Sequence, residues 1–159
     1  MKITILTVGK VKEKFFREAL AEYEKRLSRY CRLKIIEVED EKTEENLSAA
    51  QAELIKEREG NRLLRHMEQD AFCIALAIEG KKLDSIAFSK KIENLGISGK
   101  SHIIFVIGGS LGLHDRVLRE ADEKLSFSDL TFPHQLMRVI LLEQIYRAFR
   151  ISCNEPYHK

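Results

Sequence analysis

Hydrophobic and polar residues alternate along this chain in two periods, which separate short strands from longer helices. From Lys2 to Val8 the alternation has the two-residue period of a β-strand. From Val11 to Tyr30 the apolar residues recur at the spacing of a helix that buries one face. The chain therefore opens with a strand followed by an amphipathic helix.

The same two periods continue to the C-terminus. Ser85 is placed to cap one helix, which Gly96 and Gly99 end, and Pro133 falls in the first turn of the last helix. Gly60 is an irregularity inside a long polar helix. The further predicted strands are Leu33–Val38, Phe72–Ile78 (stopping at Glu79-Gly80-Lys81), Ser101–Ile107 and Lys124–Phe127, and the further predicted helices are Ser48–Met67, Ser85–Leu95, His114–Ala121 and Pro133–Cys153.

Strands that alternate with helices are typical of an α/β fold, in which helices flank a parallel sheet. The sequence has no internal repeat, no low-complexity segment and no linker rich in Pro, Gly or Ser. Its 159 residues are therefore predicted to form a single domain, residues 1–159. The acidic run from Glu37 to Glu45 is predicted to be a solvated loop, and the alternative is a surface that binds a partner.

The last helix carries apolar residues around more than one face, including Leu141, Leu142, Ile145 and Phe149. A helix at the surface of a domain needs only one apolar stripe, so this helix is predicted to be buried on two sides. In a domain of this size the second side is available to another subunit, which favours a homodimer. The alternative is a helix that lies wholly inside one chain.

Composition excludes several classes of protein. Apolar residues make up 44% and charged residues 33%, as in soluble globular proteins, and no stretch approaches the ~20 apolar residues of a membrane span. The N-terminus has no cleavage site of small residues, so a cytoplasmic protein is expected. The cysteines and histidines have neither disulfide-framework nor zinc-site spacing, and we expect no metal. A net charge of +2 does not by itself indicate binding to nucleic acid.

The candidate chemistry begins where the fourth strand ends, at Gly108, Gly109 and Gly112. Glycines at the carboxyl end of a central strand permit positive φ and let a flat ligand approach the backbone, although a plain strand-to-helix turn has the same pattern. The spacing does not match G-x-G-x-x-G. Ser98-Gly99-Lys100-Ser101 lacks the first glycine of a Walker A loop and precedes a strand rather than a helix. Neither NAD nor ATP is therefore indicated.

Two neighbouring segments complete this candidate site. Leu76–Gly80 offers apolar walls for an adenine-like ring, and Phe127–Phe132 offers a further wall. Arginine suits phosphate because of its planar fork of donors, but pairing with Glu143 or with carbonyls near the helix end is the alternative. The residue patterns reach as far as an α/β protein that binds a small cofactor and acts on RNA. The side chains considered are His134, Arg138, Arg147 and Arg150 of the last helix.

Longer matches point to a family. Together they closely resemble the small SPOUT-class ribosomal RNA methyltransferase H family, and the resemblance runs the length of the chain. The segments that carry it are Met1-Lys2-Ile3, Val8-Gly9-Lys10, Phe105–Gly112, Leu125–Ser128, Thr131–Arg138, Glu143–Ala148 and the terminal Pro156-Tyr157-His158-Lys159.

The resemblance implies a fold that the residue patterns do not reach: an α/β sheet whose C-terminal part is threaded into a trefoil knot, in a homodimer. It also implies that S-adenosylmethionine binds in the knot. The implied reaction is methyl transfer to ring nitrogen N3 of a pseudouridine in 23S rRNA on assembled ribosomes. The residues that the resemblance implies for the cofactor are Leu76, Gly108, Phe127, Ser128, Asp129, Leu130, Thr131 and Phe132.

The reaction requires the imide nitrogen to lose its proton before it attacks. We hypothesise that His158 or His134 is the base and that Arg138 steadies the developing anion. A chain of this length has no room for a separate RNA-binding domain, so specificity is expected from the shape of the ribosome and from a site that both subunits complete. The rivals are a nucleotide hydrolase, for which no carboxylate or lysine stands at the glycine turn, and a ribosome-associated factor without activity. The residues expected to hold RNA are Arg147 and Lys159, through phosphate, and Tyr157, through stacking.

Overall fold

A computed structural model describes residues 1–159 of the chain, in which strands and helices alternate from the N-terminus to the C-terminus. This order confirms the α/β alternation predicted from the sequence. The strands are β1 (Lys2–Val8), β2 (Arg32–Val38), β3 (Phe72–Lys82), β4 (His102–Ile107) and β5 (Glu123–Ser126). The helices are α1 (Lys14–Leu27), α2 (Ala49–Leu64), α3 (Ser85–Ile97), α4 (Asp115–Glu120) and α5 (His134–Ser152).

The strands form one five-stranded sheet in the order β2-β1-β4-β3-β5, and every neighbouring pair is parallel. β4 is central, and all of its residues from His102 to Ile107 are buried. A fully buried parallel strand reads as a continuous apolar run, which is how the sequence of β4 appears. Because the strands are parallel, their carboxyl ends meet at one edge of the sheet.

The two faces of the sheet bury different side chains, because successive residues of a strand point in opposite directions. Ile3 and Ile5 of β1 lie in a core of 16 buried residues, which α1, α3 and α5 cover. Leu6 and Val8 of the same strand lie in a second core of 9 buried residues, which α2 and α4 cover. The sheet is therefore flanked by helices on both faces.

Side chains fix the first residues of two helices. Ser48 and Gln51 form a reciprocal pair of hydrogen bonds at the start of α2. The Ser48 hydroxyl accepts from the backbone N–H of Gln51 at 3.2 Å, and the side-chain oxygen of Gln51 accepts from the backbone N–H of Ser48 at 2.8 Å. Asp84 caps α3 by accepting from the N–H of Ala87 at 2.7 Å. The predicted cap, Ser85, is instead the first helical residue, and its hydroxyl donates to Gln144 of α5 at 2.8 Å.

β3 is longer than predicted, because it resumes after an irregularity instead of ending at Glu79-Gly80-Lys81. Leu76 and Lys81 both pair with Leu125 of β5, and the residues between them bulge out of the ladder. A side chain at Gly80 would place its Cβ 2.6 Å from the backbone nitrogen of Leu125. Only glycine therefore permits β5 to lie so close to the bulge.

Two other glycine and proline predictions need correction. Gly60 does not interrupt α2; it is buried inside the helix, where a Cβ would lie 3.0 Å from the Cβ of His114. Pro133 lies immediately before α5 instead of in its first turn, and its carbonyl accepts from the N–H of Met137 at 2.9 Å. The acidic run is not simply a solvated loop, because Glu37 is part of β2 and pairs with Arg138.

α5 buries one face against the larger core, through Leu141, Leu142, Ile145 and Ala148. Other apolar residues of the helix, among them Leu136, are only half-buried. The second buried side predicted from the sequence is therefore not supplied by this chain, and the homodimer stays a prediction. None of the helices has both the length and the apolar character that crossing a bilayer requires.

Candidate functional site

The principal cavity has a volume of about 800 Å³ and lies at the carboxyl ends of β3, β4 and β5. This size lies within the usual range of small-molecule sites, ~300–1,000 Å³. The sequence predicted that the glycines 108–112, Leu76–Gly80 and Phe127–Phe132 would surround one site, and residues of all three segments line this cavity. The lining includes residues 76–79, 107–113 and 125–128, then 130–134, with Leu118 and Met137.

The glycine corner, residues 108–113, forms one wall. A Cβ at Gly108 would lie 2.7 Å from the carbonyl carbon of Gly112, so the backbone closes on itself only with glycine there. The sequence had suggested positive φ at Gly108, Gly109 and Gly112. Only Gly112 has it, with φ +84°. The turn is held by the Gly112 N–H, which donates to the carbonyl of Gly109 at 3.1 Å.

The glycine corner also presents unused hydrogen-bond donors. The backbone N–H groups of Ser110 and Leu111 donate to no acceptor within the chain, whereas Gly109 forms an isolated bridge with Gly112. Ser110 and Leu111 both line the cavity. A ligand with acceptor atoms can therefore bind to the main chain at this wall.

The opposite wall is the segment that precedes α5. Ser128 shapes it, because its hydroxyl accepts from the N–H of Leu130 at 3.0 Å while its carbonyl accepts from the Ser126 hydroxyl at 3.1 Å. Asp129 does not line the cavity; its exposed carboxylate forms an ion pair with Lys82. The other predicted cofactor residues, Leu76, Gly108, Phe127, Ser128, Leu130, Thr131 and Phe132, do line it.

His134 lies at the mouth of this cavity, at the first turn of α5, and is half-buried. Burial lowers the pKa of its imidazole, and the positive charges of Arg138 and Lys12 lower it further, against an opposing effect of Asp40. A pKa below the ordinary 6.5 keeps the ring neutral near pH 7. A neutral imidazole can accept a proton from a bound substrate.

Arg138 is buried behind His134 instead of facing the cavity. Its side chain donates to Glu37 at 2.8 Å and to the carbonyls of Val8 and Gly9 at 2.8 and 2.9 Å. The guanidinium therefore joins α5 to the ends of β1 and β2. Its predicted role of steadying an anion on the substrate does not agree with this placement, because the group is enclosed within the chain and does not line the cavity.

The C-terminal tail is fastened to α5. Glu143 accepts from Arg147 at 2.5 and 3.0 Å and from the hydroxyl of Tyr157 at 3.1 Å. The guanidinium of Arg147 lies 4.7 Å from the centre of the Tyr157 ring, and the edge of that ring meets Tyr146. Burial is the main reason that the pKa of Tyr157 rises to about 12. The pairing of Arg147 with Glu143 is the alternative that the sequence left open.

Arg150 holds the same tail nearer its start. It donates to the carbonyl of Pro156 at 2.8 Å and forms an ion pair with Glu155 at 2.5 Å, while the hydroxyl of Tyr30 bonds to both side chains. These contacts order residues that a sequence would suggest are frayed. Lys159 is exposed at the end of this tail.

His158 of the tail lines a second cavity, of about 550 Å³, which adjoins the cavity described above. The two cavities share Leu125, Ser126 and Phe127 as a common wall. His158 lies on one side of this wall and His134 on the other. The Nδ1 of His158 is 3.4 Å from a guanidinium nitrogen of Arg147. Within one chain, the two candidate bases therefore line different cavities.

Sequence reasoning missed Glu59, which lies behind the glycine corner. A Cβ at Gly109 would lie 2.9 Å from its Oε2. The sequence around Glu59 reads as one polar stretch of a helix with many charges, so no local pattern separates it from its exposed neighbours. The adjacent Gly60 was the only signal that this part of α2 is closely packed.

The fold and the enclosed cavity define the class: the chain belongs to the SPOUT methyltransferase family, whose family model, described as a predicted SPOUT methyltransferase, matches residues 1–158. Similar proteins include the ribosomal RNA large subunit methyltransferase H of Bifidobacterium adolescentis, 62% identical over 100% of both chains. Proteins of the same name from Clostridium botulinum and Clostridium kluyveri are 59% and 57% identical, each over 100% of both chains.

A solved structure, that of a probable methylase family protein from Haemophilus influenzae, also has a similar fold. The TM-score is 0.54, and the alignment covers 99% of this chain and 70% of the other at 12% identity. At that identity the likeness describes the fold alone.

Proposed function

We propose that this protein is an S-adenosylmethionine-dependent methyltransferase that methylates N3 of a pseudouridine in 23S rRNA on the assembled ribosome. The observation that carries the proposal is the cavity enclosed by the glycine corner, the 127–133 segment and the start of α5. Membership of the SPOUT methyltransferase family and full-length relatives named ribosomal RNA large subunit methyltransferase H support the same reaction.

The residues of the cavity fit an adenosyl ligand. Leu76, Phe127 and Phe132 provide apolar surface for a flat ring, while the free N–H groups of Ser110 and Leu111 can bind its acceptor atoms. When bound, S-adenosylmethionine supplies a methyl group that is activated by a positively charged sulfonium. We propose that the remaining cofactor residues are Gly108, Ser128, Leu130 and Thr131, with Asp129 outside the pocket.

In the proposed mechanism His134 is the base, because it lines the same cavity as the donor and is held neutral. The N3–H proton would pass to its imidazole, and the nitrogen lone pair would form the new N–CH₃ bond while the bond between that methyl group and the donor's sulfur breaks, its electron pair neutralising the sulfonium. Arg138 acts as a positioning residue: it fixes the start of α5, and its charge favours the neutral imidazole. His158 is the alternative base, acting from the neighbouring cavity.

The C-terminal tail is proposed to contact rRNA. Lys159 is exposed and can bind phosphate, and His158 lines the smaller cavity. Arg147 and Tyr157 keep the tail in place through Glu143, and they are proposed to contact RNA from that fixed position. A tail ordered before binding loses less conformational freedom when RNA is bound.

We propose further that the C-terminal part of the sheet forms a trefoil knot and that two chains pair through α5. Leu136 and Ile140 are half-buried yet pack against neither core, which leaves apolar surface on this helix. We expect a cytoplasmic protein whose active site is completed by both subunits. Sedimentation of wild type and Leu136→Asp tests the pairing: the wild type should be a dimer and the variant a monomer, whereas a monomeric wild type would contradict it.

The experiment that tests the function is mass spectrometry of 23S rRNA from a strain that lacks this protein. One methyl group should be missing from a pseudouridine and should return when the gene is restored. Purified protein should bind S-adenosylmethionine without added magnesium. Protein that has been treated with a chelator and then separated from it should methylate intact ribosomes as fast as untreated protein, because we propose that no metal takes part. Unchanged rRNA in the deletion strain, or efficient methylation of a short naked hairpin, would contradict the proposal.

A further inference from the structure

A buried carboxyl group lies behind the glycine corner and has no part in the proposed chemistry. Glu59 of α2 is 4% exposed and lines neither cavity. Its Oε1 accepts from the backbone N–H of Glu41 at 3.0 Å, but its Oε2 is buried without a hydrogen-bond partner. A buried oxygen without a donor destabilises a fold, so such a group points to a role beyond packing.

The unpartnered oxygen lies against the glycine corner. A Cβ at Gly109 would lie 2.9 Å from Oε2 and 3.3 Å from Oε1, which places the carboxyl group in contact with this backbone. Ser110 and Leu111, which directly follow Gly109, carry the free N–H groups of the turn. An ionised carboxylate attracts such donors, whereas a neutral carboxyl competes for them less strongly.

The charged groups that act on Glu59 come from α2 itself and from the segment between β2 and α2. Asp40 and Glu41 precede α2, and Arg62 follows Glu59 by three residues; Arg62 is bound to the Glu41 carboxylate at 2.8 Å. His114, which packs against the next residue of α2, pairs with another glutamate. Burial is the main reason that the pKa of Glu59 is raised, with Asp40 and Glu41 adding to it and the Glu41 N–H and Arg62 opposing it. The glycine corner contributes no charged side chain of its own.

We propose that Glu59 is a positioning residue for the methyl donor: its protonation state sets the conformation of the glycine corner and so couples cofactor affinity to pH. The inference rests on the proposed function, because it concerns the same cavity. Neutral Glu59 leaves the N–H groups of Ser110 and Leu111 to the ligand. Affinity for S-adenosylmethionine therefore falls as pH rises through the titration of Glu59.

Calorimetry with S-adenosylmethionine from about pH 5 to about pH 8 tests this coupling. The affinity of the wild type should fall about tenfold over this range, the factor that corresponds to a change of one unit in the pKa of Glu59 on binding. Glu57→Gln, a control at an exposed position of the same helix, should behave in the same way. Glu59→Gln keeps the shape of the side chain without its charge and should bind with nearly constant affinity. A Glu59→Gln profile parallel to that of the wild type overturns the proposal.

Two measurements without cofactor keep the inference separate from the proposed function. Because the folded state holds the Glu59 proton more tightly than the unfolded chain, its stabilising effect is present at low pH and is lost as pH rises through the folded pKa. Glu59→Gln should therefore raise the melting temperature by about 2–4 °C at pH 8, and the difference should vanish toward pH 4. Hydrogen-exchange protection at residues 108–113, taken relative to the intrinsic exchange rate at each pH, should change with pH in the wild type and not in Glu59→Gln.

The outcomes distinguish the two ideas. If the wild type binds no S-adenosylmethionine at any pH, the proposed function fails, and the melting and exchange data still decide whether Glu59 controls the corner. If binding is normal while Glu59→Gln leaves the affinity profile, melting and exchange unchanged, only the role of Glu59 is overturned.

Discussion

Arg138 and Glu37 form an ion pair at 2.8 Å, although 101 positions separate them in the sequence. The pair ties the start of α5, where His134 lies, to the end of β2. Because the Arg138 side chain is 1% exposed, its charge is compensated by Glu37 and by two backbone carbonyls instead of by water. The position of the candidate base therefore depends on contacts formed at the carboxyl ends of the first two strands.

Replacing Arg138 should destabilise the protein. Arg138→Met leaves two carbonyls and the Glu37 carboxylate without their donors, and the free energy of unfolding should fall by about 3 kcal/mol. Arg138→Lys should recover only part of this loss, because one ammonium cannot reproduce the planar fork. Urea denaturation measures both, with the exposed Arg119→Met as control. Full stability of Arg138→Met combined with loss of methylation would return Arg138 to a direct catalytic role.

The acid limb of the rate profile should report His134. Because its folded pKa lies below the ordinary 6.5, the neutral base persists as pH falls, and kcat/KM should decline only below that value. His134→Ala should lower kcat by ~10²–10⁴-fold and remove this limb. His158→Ala is the matched comparison and should retain the limb. Near-normal rates in both variants would exclude histidine as the base.

Gly108 should not tolerate a side chain. In Gly108→Ala the new Cβ would lie 2.7 Å from the Gly112 carbonyl carbon, and a backbone atom cannot move aside as a flexible side chain can. Affinity for S-adenosylmethionine should fall at least about tenfold, which corresponds to ~1.4 kcal/mol. Gly96→Ala is the control, because its Cβ would meet only the end of the Met1 side chain. Equal affinities in the two variants would show that the corner is not part of the site.

Of the three thiols, only one should react quickly in the folded protein. Cys153 is exposed, whereas burial raises the pKa of Cys31 and of Cys73 to about 11, so both stay protonated at neutral pH. A disulfide reagent should therefore label one thiol quickly and the other two only after unfolding. Cys153→Ser should abolish the fast phase. Fast labelling of Cys73 would indicate that the smaller core opens more readily than its packing suggests.

The sequence was a good guide where local periodicity decides the structure. The alternation of strands and helices, the buried run of β4 and the meeting of three segments at one cavity follow from residue patterns and from the geometry of parallel strands. Contacts between distant residues were not accessible in this way. The pairing of Arg138 with Glu37 needs the strand order, and the burial of Glu59 needs the packing of α2 against the corner. Gly80 was predicted to end β3 because its close approach to β5 has no local signal.

Phe127 separates two spaces that otherwise meet. Its ring contacts Phe88 edge-on, with the centroids 6.2 Å apart, and it contributes to the lining of both cavities. An inhibitor that occupies both cavities would need to span only the thickness of the Phe127 ring. Chemists could therefore join two weak fragments, found separately for the two chambers, by a short linker that displaces the Phe127 ring.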